Sequence, residues 1–198
     1  MATPSFFAKI SKRGLKFKYV GFLLRFISAK ISADGKIETD GLTLSMESHS
    51  GVYAAAGSKA GFGRWAYLCE GTRIVAHDGA TVSVGPSFFA NRYCSIVGRG
   101  GISIGENCML GEGVLIYDHN YKHKPGKESF FEQGYYAKKI EIGNNVWIGS
   151  KAFIGAGVQI GDNVVIGANS VITKNIPSDS MAYSASQLVI KPLEDSKN

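Results

Sequence analysis

The chain has 198 residues, 44% hydrophobic and 19% charged, with 25 glycines, 5 prolines and 3 cysteines. That balance excludes a disordered acidic tail and a coiled coil, and so few prolines, with glycines in no three-residue period, exclude collagen. The formal charge of +6 sits at one end: residues 1–36 hold eight basic residues and one acid, Asp34, and the rest hold 14 basic and 15 acidic.

The segment 1–36 comes first and reads as a basic amphipathic leader. Phe6, Phe7, Ile10, Phe17, Val20, Phe22, Leu23, Leu24 and Phe26 interleave with Lys9, Lys12, Arg13, Lys16, Lys18, Arg25 and Lys30 in a roughly helical pattern. Such a helix either caps the first layer of the body or lies on the anionic inner face of a membrane. The apolar run from Tyr19 to Ile27 is broken by Arg25 and is too short to span a bilayer. No small-residue cleavage site follows it, so it does not read as a signal peptide. The body adds no basic patch or aromatic RNA motif, which excludes nucleic acid as a partner. Cys69, Cys94 and Cys108 are odd in number and form no C-x-x-C, which points away from disulfides and structural zinc and toward a reducing, cytoplasmic setting.

The body, 37–183, is a repeat. Over 37–83 the rhythm is loose, kept by Ile37, Leu42, Leu44, Ile74 and Val82. From Val84 an aliphatic or small residue recurs every six positions, through Ala90 and Ile96, then Ile104, Leu110 and Ile116. Downstream the frame is strict: Ile142, Ile148, Ile154, Ile160, Ile166 and Ile172, the first five each followed by glycine. Four places after each isoleucine sits a second inward position: Val146, Ala152, Val158, Val164, Ser170 and Ile176. A period of six suits neither a helix nor a hairpin sheet. It fits short strands ending in bends, stacked as parallel coils with three hexapeptides to a turn. Cys94 and Cys108 fall in the small inward slot, so they read as core. Residues 117–139 interrupt the frame. This insertion is rich in His, Tyr, Phe and Lys, as a functional loop would be. Residues 184–198 form a tail.

The runs I-G-N-N-V-W-I-G-S at Ile142–Ser150 and I-G-A-G-V-Q-I-G-D-N-V-V-I-G-A-N-S-V-I-T-K at Ile154–Lys174 resemble the hexapeptide-repeat acyltransferases. Tyr117-Asp118-His119-Asn120 resembles the histidine motif of one branch, the galactoside and maltose O-acetyltransferases with the capsule and O-antigen O-acetyltransferases. The resemblance implies an all-β fold, a single-stranded left-handed parallel β-helix with a short N-terminal helical segment and a protruding loop. It also implies a homotrimer with sites between subunits, acetyl-CoA as acyl donor, and a sugar or polysaccharide acceptor.

The residues suit that chemistry. A sugar hydroxyl is a poor nucleophile at neutral pH and needs a general base, and histidine is the side chain that titrates nearest neutrality. His119 is the expected base. A thiolate leaves more readily than an amine would, so direct attack needs no covalent intermediate. The resemblance places an oxyanion donor at the main chain of Gly149-Ser150. It assigns Gly149, Ser150, Ala168, Thr173, Lys174 and Lys191 to coenzyme A, and Asn91, Asp118, Trp147 and Arg99 to the acceptor. The branch ends in a proline and two arginines, where this chain has Leu188 and Lys191. Where the branch carries an acid, this chain has Arg99, which would favour an anionic acceptor. No metal is expected, because His119 and His123 share one loop while His49 and His77 lie far upstream. The rival readings are an N-acyltransferase for a nucleotide-linked amino sugar and a non-catalytic β-helix scaffold.

Overall fold

Isoleucine-glycine at every sixth place folds as strand, bend, strand. In this computed structural model, which describes residues 34–185 apart from 42 and 127, 19 of 21 short strands wind into a triangular coil. The first face stacks β1 (Lys36–Thr39), β4 (Lys59–Phe62), β7 (Thr81–Val84), β10 (Ile102–Ile104), β15 (Ile140–Ile142) and β18 (Gln159–Ile160). The second stacks β2 (Ser45–Met46), β5 (Tyr67–Leu68), β8 (Phe89–Ala90), β11 (Met109–Leu110), β16 (Trp147–Ile148), β19 (Val165–Ile166) and β21 (Met181–Ala182). The third stacks β3 (Gly51–Ala54), β6 (Arg73–Ala76), β9 (Ser95–Gly98), β12 (Leu115–Tyr117), β17 (Phe153–Ile154) and β20 (Val171–Ile172). Every pairing between coils is parallel, as in the left-handed β-helix of hexapeptide repeats.

The inward positions read from the sequence are the core. Ile142, Ile148, Ile154, Ile160, Ile166 and Ile172 are buried, as are Val146, Ala152, Val158, Val164 and Ser170. Each buried aliphatic side chain contributes about 1.5–3 kcal/mol. Ile176, at the end of the frame, is only partly covered. Cys94 and Cys108 lie in the core as free thiols, their Sγ atoms 3.1 Å from the carbonyls of Gly111 and Gly143.

The early coils are as regular as the late ones but longer. Lys36 pairs with Lys59 and Lys59 with Thr81, coils of 23 and 22 residues, whereas Glu141 pairs with Gln159 only 18 residues on. The extra residues lengthen strands on the first and third faces, so that each buries two side chains, such as Ala60 with Phe62 and Ile74 with Ala76. This is why the six-residue rhythm loosens over 37–83.

The corners explain the polar letters of the motif. Asn107, Asn145 and Asn163 have φ of 54–56°, a left-handed bend that asparagine tolerates. The Asn145 amide donates to Asn163 Oδ1 and that of Asn163 to Asp179 Oδ1, both at 2.9 Å, a ladder from coil to coil. The residues before the last two of these bends each accept a main-chain N–H from the coil beside them: Glu106 N donates to Asn144 Oδ1 at 3.0 Å, and Asn144 N to Asp162 Oδ1 at 2.6 Å. Glycine is required at Gly143, where a Cβ would lie 2.5 Å from Asp162 Oδ1 and 2.7 Å from the Gly161 carbonyl carbon.

The three outer surfaces differ. Outward residues of the first face are polar: Lys59, Ser83, Ser103, Glu141 and Gln159. The second face carries an apolar row, Tyr67, Phe89, Met109, Trp147, Val165 and Met181. Of these, Met109, Trp147 and Met181 are exposed. The third face adds exposed Leu115 and Val171. Of the leader expected over 1–36, residues 1–33 lie outside the described residues, as does the tail beyond 185, including Lys191, while Lys36 opens β1.

Candidate active site

The site is built where the insertion leaves the coil. After β12 the chain turns out as an antiparallel arm of β13 (His119–Tyr121) and β14 (Tyr135–Ala137), with His119 opposite Ala137 and Tyr121 opposite Tyr135. The expected loop is thus a hairpin whose first residue is the candidate base.

Asp118, the residue before it, is fully buried. Its carboxylate sits in a cradle of three successive main-chain N–H groups. Arg99 N donates at 2.9 and 3.1 Å to its two oxygens, Gly100 N at 2.8 Å and Gly101 N at 2.6 Å. Glycines make the cradle. A Cβ on Gly98 would collide with Val82 Cγ2, one on Gly100 would come to 3.1 Å from Ala137 Cβ, and Gly101 has φ of 126°.

The remaining capacity of Asp118 faces the base. His119 Nδ1 lies 3.3 Å from Asp118 Oδ1. A carboxylate filled by donors can only accept, so the proton sits on Nδ1 and the Nε2 lone pair is left for chemistry. The imidazole is 14% exposed. It stacks on Tyr117, with centroids 5.9 Å apart at 24°, and meets the edge of Tyr135 at 6.1 Å and 73°. The Tyr117 hydroxyl is fixed by Ser95 Oγ at 3.1 Å.

Two acceptor expectations change. Asp118 was expected to touch the acceptor, but it is sealed inside, its carboxylate taken by main-chain donors and by the neighbouring His119 Nδ1. Arg99 was expected to offer a free cation. Its guanidinium is paired with Asp78 and lies 4.6 Å over the Tyr135 ring, so its charge is already committed. Tyr135, Asp78 and the Gly98–Gly101 cradle were not singled out in the sequence. The G-R-G-G run, conformationally permissive residues outside the six-residue frame, was the available signal for the cradle.

The other candidates lie elsewhere on the prism. Asn91, Gly149, Ser150 and Ala168 occupy the corner between the second and third faces, and Trp147 points out of the second face, half exposed. Asn91 is half-buried, its Oδ1 accepting Arg92 N at 2.8 Å and its carbonyl accepting the Thr72 hydroxyl at 2.6 Å. The Gly149 N–H is spent on the Ile166 carbonyl at 2.8 Å. The N–H groups of Ser150 and Ala168, both exposed, have no partner among the described residues. Thr173 and Lys174 are exposed at the corner between the third and first faces, the corner that carries His119. A side of about six residues spans up to ~20 Å. His119 and the Asn91–Ser150 edge of one chain therefore lie at different corners of the prism.

Comparison with known proteins agrees with the coil. A family of bacterial transferase hexapeptides (six repeats) matches residues 139–174, and the hexapeptide repeat of succinyl-transferase matches 92–118. A maltose O-acetyltransferase from Clostridium difficile 630 is similar at 26% identity over 96% of this chain and 83% of that chain, with a TM-score of 0.48. A galactoside acetyltransferase in complex with coenzyme A is similar at 23% over 96% and 78%, TM-score 0.47. AntD, an N-acyltransferase from Bacillus cereus solved with dTDP and 3-hydroxybutyryl-CoA, shares the fold at 17% over 79% and 81%, TM-score 0.54. The two matched segments fall within the stacked parallel coils and share their six-residue frame, so the chain carries hexapeptide repeats similar to those of bacterial transferases.

Proposed function

We propose that this chain is an O-acetyltransferase that moves an acetyl group from acetyl-CoA to a hydroxyl of a sugar or polysaccharide, with His119 as general base. One observation carries the reading: an imidazole at the root of an arm, its Nδ1 held by a buried carboxylate and its Nε2 free. His119 Nε2 takes the acceptor's hydroxyl proton as the oxygen attacks the thioester carbonyl. The tetrahedral intermediate collapses with loss of the coenzyme A thiolate, and the proton on His119 is returned to sulfur. Ser150 and Ala168 supply unpaired N–H groups suited to the carbonyl and amide oxygens of the donor, and Lys174 a cation for a phosphate.

The residues lie on two edges of the prism, so the reading needs a second copy of the chain. We assign the complete site to a cleft in a homotrimer, His119 coming from one subunit and Trp147, Asn91 and Ser150 from the next. The apolar rows on the second and third faces, against a polar first face, favour self-association on those two sides. The test is release of free thiol from acetyl-CoA with a panel of free and lipid-linked saccharides, comparing wild type with His119→Ala. The Ala variant should lose about a hundredfold or more in kcat. An enzyme that stays active without His119 refutes the assignment.

A further inference from the structure

Asp78 lies in the turn between β6 and β7, on the same corner as Arg99 and one coil below it, with φ of 57°. Its Oδ2 accepts the Tyr135 hydroxyl at 2.6 Å and also the Arg99 guanidinium. The guanidinium carbon lies 4.6 Å from the Tyr135 ring centroid, and the same ring makes a T-shaped contact with His119. The main-chain N–H of the same Arg99 holds Asp118, which holds His119. Arg99 therefore links both supports of the base, its backbone to the carboxylate and its side chain to the aromatic wall.

Fastening the hairpin does not require this set. The arm laces itself through Lys122 N to the Gly134 carbonyl at 3.0 Å and through Lys124 with Gln133. Its root is tied to the coil by Lys138 N on the Asp118 carbonyl at 2.7 Å and Ile140 N on that of Gly101 at 3.0 Å. Asp78, Arg99 and Tyr135 add a further tie from the coil to the arm, with the Tyr135 ring against His119.

We propose that Asp78 is a positioning residue: through Arg99 and Tyr135 it holds the wall against which the His119 ring stands, and so keeps Nδ1 on Asp118 and Nε2 toward the acceptor. The proposal rests on His119 being the base. It also gives Arg99 a role in place of a free cation for an anionic acceptor.

The test compares Asp78→Ala, Asp78→Asn and Tyr135→Phe with wild type. Turnover is read as thiol release from acetyl-CoA with the saccharide panel, and the His119 tautomer is read separately from the 15N resonances of its ring. Asp78→Ala should lower kcat by about tenfold to a hundredfold, the scale of a misplaced catalytic group. KM for acetyl-CoA should stay within about twofold, because donor residues lie on other corners or coils. The 15N spectrum should change from an Nδ1–H ring to a mixture of tautomers. Asp78→Asn, which keeps an acceptor for the Tyr135 hydroxyl, should recover part of both. Tyr135→Phe removes one hydroxyl, serves if Asp78→Ala does not fold, and should shift tautomer and kcat in the same direction. Wild-type kcat and an unmixed tautomer in the folded variants overturn the proposal. A His119→Ala enzyme that remains active sinks the base assignment instead, and the two failures are distinct because the tautomer is read without turnover.

Discussion

Replacing Asp118 by asparagine changes almost no volume and one functional property. The carboxylate accepts from Arg99, Gly100 and Gly101 N–H at 2.6–3.1 Å and from His119 Nδ1 at 3.3 Å. An amide must turn its NH2 toward one side. Turned toward Gly100 and Gly101, it sets donor against donor in a buried cradle. Turned toward Arg99 and His119, it leaves Gly100 and Gly101 satisfied and offers His119 a donor, so the proton moves to Nε2 and the base is lost. The second arrangement is cheaper, since it misplaces fewer bonds. Each unsatisfied buried group costs about 1–3 kcal/mol, so the stability loss should be about 1–3 kcal/mol by urea denaturation. The loss in kcat should approach that of removing the base, about 10²–10⁴-fold in the thiol-release assay, with KM for acetyl-CoA little changed. Asp118→Ala should cost more stability, because three N–H groups lose their acceptor together. A folded Asp118→Asn enzyme with wild-type kcat would refute the orienting role.

Other outcomes follow from the same geometry. Burial pushes the Cys69 and Cys94 thiols up to about 11. At pH 8 the native protein should therefore react with iodoacetamide about a hundredfold more slowly than denatured chain, and fast native labelling would contradict their place in the core. The Asp78 carboxyl is held below the ordinary aspartate range by the Tyr135 hydroxyl first and the Arg99 charge next. Its folded form ionises more readily than the unfolded one, so the clamp is complete above about pH 4 and is lost as pH falls below that. The 13C shift of the Asp78 carboxyl should stay constant between pH 5 and 8 and move only below about pH 4, and a titration between pH 5 and 8 would contradict the pairing. Gly143→Ala should destabilise by about 1–3 kcal/mol, since Gly161 and Asp162 of the next coil must move, and an unchanged thermal midpoint would contradict the close approach. The charged leader should bind anionic vesicles at low salt and release them as salt rises, and removal of residues 1–30 should abolish binding while leaving a soluble assembly.

The six-residue frame made the coil legible because each letter has one geometric job: isoleucine inward, glycine at the close approach, asparagine at the left-handed bend. The frame blurred over 37–83 because longer strands there add buried pairs such as Ala60 with Phe62, and coil length, not pattern quality, varies. His119 was legible from its motif and its place on an insertion. Its supports were not. Asp78, Gly98–Gly101 and Tyr135 come from three separate stretches of the chain, and only the stacking of one coil on the next brings them to a single corner. Asp118 and Arg99 were noticed as polar residues near the motif, but burial and pairing decide what such groups do, and neither is visible in one dimension.

The division of the site between copies of the chain is the central claim, and mixed assemblies test it most directly. His119→Ala and Trp147→Ala proteins, each inactive alone, would be unfolded, combined in equal amounts, refolded and assayed for thiol release from acetyl-CoA with the saccharide panel. Random mixing of a cleft built from two neighbours should restore about one quarter of wild-type activity, carried by clefts with both residues intact. Mixed assemblies as inactive as their parents, or a protein that sediments as a monomer while fully active, would contradict it.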